Sequence, residues 1–255
     1  MKQISHFTKL SVLLNHILEE KKFQFNLISK TNDPQERTQW LSVGISRLDQ
    51  TERDMLDELY PLYESVIKRK IKVGCFVNEE GNVGDFRTWT SVLNSPLWAH
   101  YGANGEGVVL VFDVDKLIAS CKSKSIYDWA IHHDIINYSI EQNEDSNLPF
   151  FFNLKKVHDR SKEGIIKYAF QDAVKLWSWK DQLWSYEDEY RILIYTDEEQ
   201  PIKVDISDSL RAVVFGDRVS QTTKKLVSQY CKENNIESYY VEFDQLTYKY
   251  QLYDK

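Results

Sequence analysis

Gly107-Val108-Val109-Leu110-Val111-Phe112-Asp113 carries a near-continuous apolar run. A strand that is apolar toward both faces must be covered on both, so Val108–Phe112 is read as the interior of a β-sheet. A short helix is expected from Asp113 to Cys121. Working back toward the start, Ile4–Phe7 reads as a short strand. Leu10, Leu13, Leu14, Ile17 and Leu18 follow at helical spacing, with Thr8 or Ser11 as candidate cap. Phe23, Phe25 and Leu27 alternate as in a strand, and Ile71–Val77 reads as another. Thr31-Asn32-Asp33-Pro34 is a turn. Residues 35–70 read as helix in at least two pieces, with Thr51-x-x-Asp54 as a capping box and Pro61 as a kink or break.

Downstream, Ile126–Ile140 holds one or two strands. Residues 153–176 carry a helical pattern, and Tyr190–Tyr195, Leu210–Phe215 and Tyr239–Phe243 read as strands. Thr222–Glu233 reads as a helix and Tyr248–Tyr253 as a last edge strand. Strands and helices interleave without a regular βαβ rhythm. The expected fold is therefore α+β, with a central mixed or antiparallel β-sheet flanked by helices. A length of 255 residues suits one domain, 1–255, with a helical insertion at 35–70. The polar stretch 78–95, with Gly81 and Gly84, is expected to be a mobile, loosely packed flap.

The formal charge of −7 removes a global basic field for nucleic acid. Cys75, Cys121 and Cys231 are far apart and form no CxxC or Cys/His cluster, so no disulfide framework or zinc site is implied; free thiols fit a cytoplasmic location. Met1–Lys9 lacks the apolar centre of a signal peptide, and no apolar run approaches a membrane span. Phosphate-loop, dinucleotide-fingerprint, nucleophile-elbow and zinc-helix patterns are missing.

Chemistry gathers in Lys180–Ile194. Period-two alternation puts Glu187, Glu189 and Arg191 on one face of a strand entrance, with Trp184 and Tyr186 as apolar walls. The blander reading is a solvated Glu189–Arg191 pair on an edge strand, worth little. His6 precedes the first helix and can bond a ligand hydroxyl with either ring nitrogen, although a lone His is more often satisfied by backbone. In Pro96–Gly102, Trp98 and Tyr101 suit stacking on a planar ring; a packed aromatic turn is the alternative. Asp33 sits in a turn whose job is more often structural.

Taken in order, these pieces resemble a bacterial family, domain of unknown function 2971. They are His6-Phe7-Thr8, Asn32-Asp33-Pro34, Gly74-Cys75-Phe76, Leu97-Trp98-Ala99-His100-Tyr101, Gly107–Asp113, Trp184–Arg191 and Val213–Gly216. Val77 and Thr31 depart from the family pattern, which has Ser and Phe there. A second resemblance is to ADP-ribosyltransferases, including DNA-modifying toxins of toxin–antitoxin pairs. It implies NAD as substrate, with His6, together with Phe7 and Thr8, holding the ribose. Tyr101 or Trp98 would stack on nicotinamide, Tyr186 and Arg191 would line the site, and Glu189 or Glu187 would stabilise an oxocarbenium-like transition state. It further implies an acceptor among nucleic acids or proteins, a role as toxin or antiphage effector, and a cognate antitoxin or defence partner. Two other readings stand beside it: a catalytically silent binding module of the same fold, and a magnesium-dependent nuclease using Asp33, Glu187 and Glu189.

Overall fold

The structure is a computed structural model that describes residues 2–33, 49–79, 89–139, 157–247 and 249–254, and the backbone alone of 42–43 and 151–152. The strands are β1 (Gln3–Thr8), β2 (Lys22–Leu27), β3 (Ser42–Val43), β4 (Ile71–Glu79), β5 (Val108–Asp113), β6 (Ile131–Ile135) and β7 (Asn137–Ser139). They continue with β8 (Phe151–Phe152), β9 (Trp179–Asp181), β10 (Glu189–Tyr195), β11 (Ile202–Asp205), β12 (Leu210–Phe215), β13 (Glu237–Asp244) and β14 (Lys249–Asp254). Ten of them form one sheet in the order β11-β2-β4-β1-β5-β12-β13-β14, with β10 on β4 and β6 on β10. Pairing in this sheet is antiparallel except between β12 and β13, so the fold is mixed α and β on a large mixed sheet. All of Val108–Asp113 is buried, as the apolar run demands. Among the described residues no helix is long and apolar enough to cross a membrane.

Three apolar clusters cover the sheet. Ile4, Phe23, Phe76, Phe112 and Tyr190 belong to one. Tyr63, Val73, Ile165, Phe170 and Leu193 belong to a second, under the helices Gln50–Ser65 and Lys162–Trp177. Phe7, Trp89, Val92, Trp98 and Val111 belong to a third. Because successive side chains alternate, Ile4 and Phe7 of β1 serve opposite faces.

β4 is the pivot of the architecture. Along Ile71–Val77 one of its edges is paired with β10. The other edge is shared: β2 takes Lys72 and Val73, and β1 takes Val77, Asn78 and Glu79. Between them β1 leaves to pair with β5, and β2 leaves to pair with β11. The sheet therefore splits at Gly74-Cys75-Phe76. Gly74 permits the opening, since a Cβ there would stand 2.5 Å from the Phe25 ring.

Several local expectations are corrected. The first helical stretch contains a π turn, Leu13–Ile17, and neither Thr8 nor Ser11 caps it; Val12 and Leu13 donate to the Lys9 carbonyl instead. The capping box on Gln50–Ser65 is Asp49 with Glu52, two residues earlier than Thr51 with Asp54. That helix runs through Pro61 and ends in a π turn, Val66–Lys70. Residues 42–43 are strand rather than helix, while 34–41 and 44–48 lie outside the described residues. The later helix begins only at Lys162, capped by Ser161. Part of the expected flap is packed instead, although Thr90, Leu93 and Ser95 are exposed. Asn78 and Glu79 extend β4, and Trp89, Ser91 and Val92 are buried; residues 80–88 lie outside the described residues.

Gly216 closes the far end of β12. A Cβ there would stand 2.1 Å from the carbonyl oxygen of Gly105, whose φ is +88°. Backbone cannot rotate aside as a side chain does. Gly216→Ala is expected to cost about 1–3 kcal/mol, read as a lower urea midpoint at unchanged slope.

Candidate functional site

The split in the sheet opens into a cleft of about 210 Å³. Its walls come from β1, β2 and β4, from Leu97 and Tyr101, and from Lys180, Glu187, Glu189 and Arg191. Phe23, Phe76, Val73 and Leu97 make it apolar within, while Gln24, Asn26, Lys30 and Asn32 give it a polar rim.

Glu189 opens β10, an interior strand flanked by β4 and β6. This overturns the solvated edge-strand reading: Glu189 is 4 % exposed and Arg191 2 %. Arg191 Nε donates to Glu189 Oε1 at 2.6 Å and Nη2 to Oε2 at 3.0 Å, while Nη1 donates to the Trp177 carbonyl at 3.1 Å. Glu187 reaches the group by another route than strand alternation. It ends the 3-10 helix Gln182–Glu187, and Asp188 in a left-handed conformation (φ 40°) turns the chain into β10. That bend is held by the Asn78 N–H donating to the Asp188 carbonyl at 2.8 Å. Lys180 then ties the carboxylates together, its Nζ lying 2.7 Å from an oxygen of each. The Tyr101 hydroxyl donates to the remaining oxygen of Glu187.

Burial by itself raises the pKa of Glu189. The charges of Arg191 and Lys180, and their hydrogen bonds, overcome it and bring the value from 4.5 to about 2. The sign follows directly: a carboxylate held below its unfolded value stabilises the fold above about pH 4.5, and that contribution disappears as the pH falls toward 2. At about 1.36 kcal/mol per unit it amounts to roughly 3 kcal/mol. Urea titrations at pH 7 and pH 3 are expected to show a loss of about 2 kcal/mol in the parent, since part of the contribution survives at pH 3, and a much smaller one in Glu189→Gln. Equal losses would show that other groups govern acid unfolding.

His6 lies on the face of β1 opposite the carboxylates and meets the cleft through the gap beside β4. Its Nδ1 is 2.9 Å from the Cys75 carbonyl, and its ring packs edge-on to Phe23 at 4.7 Å. Burial holds its pKa below the ordinary value, against the raising effect of the Cys75 carbonyl. The neutral ring thus donates through Nδ1 and presents Nε2 as an acceptor.

Phe7 lines the cleft and packs edge-on to Trp98 at 5.1 Å. Thr8, Trp98 and Tyr186 are not among the residues that wall it. Thr8 ends β1 opposite Val108. Trp98 is 1 % exposed, and its indole N–H donates to the Val92 carbonyl at 2.8 Å, so it is core. The Tyr186 carbonyl accepts from Asn94 Nδ2 at 2.9 Å, and its ring lies beside His100 and Trp184 outside the cleft. Asp33 is buried and does not itself wall the cleft, although its neighbour Asn32 does. Sequence reasoning assigned no role to Lys180, whose place depends on the pairing of Tyr138 with Lys180 between β7 and β9. Among the described residues, no three His, Cys, Asp or Glu side chains are grouped to hold a metal ion.

These features define an α/β protein with a charged cleft at a break in its sheet. Residues 97–192 match the family described as Protein of unknown function (DUF2971), which bears out the first resemblance over that stretch. Neither a curated protein nor a solved structure matches the chain. The matched stretch brings Tyr101, Lys180, Glu187, Glu189 and Arg191 to the cleft, while β1, β2 and β4 lie before it.

Proposed function

We propose that the cleft binds NAD and breaks its nicotinamide–ribose bond, as in an ADP-ribosyltransferase. The observation that carries this reading is convergence: His6, Tyr101, Glu187 and Glu189, remote in sequence, line one cleft. Glu187 and Glu189 take different parts. Arg191 and Lys180 engage both oxygens of Glu189, which makes it a positioning residue. Glu187 accepts one bond at each oxygen, from Tyr101 and from Lys180, and retains lone pairs for a ribose hydroxyl. A carboxylate fixed beside the ribose stabilises the positive charge that develops as nicotinamide leaves. His6 Nε2 accepts from a second hydroxyl.

Lys180 stands between the two carboxylates where a bridging magnesium ion would stand in the nuclease reading, and this favours metal-free chemistry. The silent-module reading draws on a different fact: two cations balance the two carboxylates, which weakens the field a cationic transition state feels. Calorimetric titration with NAD, followed by assay of free nicotinamide, separates the readings. Binding with release supports the transferase, binding without release supports the module, and absence of both ends the proposal. The acceptor, and a role as toxin or antiphage effector with a partner antitoxin, are extensions of the same proposal.

A further inference from the structure

Behind the cleft lies another buried carboxylate, which the chemistry above does not use. Glu79 is 5 % exposed, Ser91 3 % and Ser5 0 %. Ser91 Oγ donates to Glu79 Oε1, and the Ser91 N–H donates to Oε2 at 3.3 Å. Ser5 Oγ lies 2.7 Å from Ser91 Oγ. Either hydroxyl can donate in that second bond, and Ser5 also hydrogen-bonds Glu79. The three groups form one hydrogen-bonded cluster that ends on the Glu79 carboxylate.

The register shows where the chain leads. Glu189 pairs with Val77, and Val77 pairs with Ser5. All three residues line the cleft. Strands lie about 4.8 Å apart, so Ser5 stands roughly 10 Å from Glu189 on the same face. A molecule held between them would meet the Glu187 and Glu189 carboxylates on one side and the Ser5 hydroxyl on the other.

We propose that Ser5, Ser91 and Glu79 form a proton relay that removes the proton of the acceptor as it attacks the ribose. This rests on the NAD-cleaving reading of the cleft. In the step, the C–N bond to nicotinamide breaks and its electron pair stays on the nicotinamide nitrogen. A lone pair of the acceptor oxygen or nitrogen forms the new bond to the ribose carbon. The acceptor proton passes to Ser5 Oγ, the Ser5 proton to Ser91 Oγ, and the Ser91 proton to Glu79, which ends protonated. Burial raises the pKa of Glu79 against the lowering effect of its Ser91 and Ser5 hydrogen bonds, which makes it a stronger base than an exposed carboxylate. Of the described groups around it, Gln3 lies opposite on β1 and Ser91 and Thr90 approach from the following turn, all uncharged.

The test uses NAD with water as acceptor, comparing the full chain with Ser5→Ala and Glu79→Gln. NAD affinity is expected to stay within about twofold, while nicotinamide release falls by about 100-fold or more. The acid limb of the parent's pH profile, where Glu79 takes up its proton, is expected to vanish in both variants. Retention of that limb in both overturns the relay while leaving NAD cleavage standing. If the parent releases no nicotinamide, the cleavage reading fails and the relay, which rests on it, falls with it; loss of nicotinamide release in the variants alone, with the acid limb gone, supports the relay.

Discussion

Glu187→Gln is expected to lower nicotinamide release from NAD by about 100-fold or more while NAD affinity changes by less than about threefold. The amide keeps the size of the side chain and its hydrogen bond from Tyr101, and it removes the negative charge. A hydroxyl of bound NAD still finds an oxygen to meet, so ground-state binding is largely preserved. The developing ribose cation loses the charge of Glu187, so the cost falls on the transition state. Glu189→Gln acts less directly. It frees Arg191 and Lys180 from their carboxylate, and Lys180 then swings its full charge onto Glu187. Its effect is expected on stability and on rate together. Release by Glu187→Gln at the parent rate would remove Glu187 from the reaction.

The second large effect concerns the fold. Arg191→Met removes the guanidinium that grips both oxygens of a carboxylate only 4 % exposed. Lys180 remains on one oxygen. A buried carboxylate stripped of its main partner is expected to cost about 3 kcal/mol in urea unfolding at pH 7. The cost arises from the charge left behind rather than from the pair itself, and this gives a sharper test. Adding Glu189→Leu to Arg191→Met removes the stranded charge and is expected to recover more than half of the loss. A loss below about 1 kcal/mol in the single variant would mean that water reaches the pair and that the cleft floor is open.

Much of the secondary structure was legible because it depends on near neighbours. Val108–Phe112 declares an interior strand by being apolar at every position, and the sheet interior is where it lies. The alternation of Phe23 and Phe25, and the periodicity of Leu10 to Leu18, likewise mark elements that exist. Short elements of three or four residues were missed, among them β9 and β11. Flap and core were confused at Trp89–Leu93, because polar composition describes the stretch as a whole, whereas Trp89 and Val92 are buried as individuals.

The site divides in the same way. By itself the sequence determined which residue types were at hand: His6 on a first strand, Tyr101 before an interior strand, and two glutamates at the mouth of β10. It also determined that Glu189 and Arg191 share a face, since alternation along one strand is a local property. Only the tertiary structure decided that β10 is interior, which turns a pair of little consequence into a buried one. Only it decided that Lys180 bridges the carboxylates, that Trp98 is core and Tyr101 cleft, and that Ser5 leads to Glu79. Each of these depends on which strands become neighbours. The splitting of β4's edge between β1 and β2 makes the cleft, and it follows from the competing attractions of β5 and β11, strands about a hundred residues or more away from the segments they draw apart.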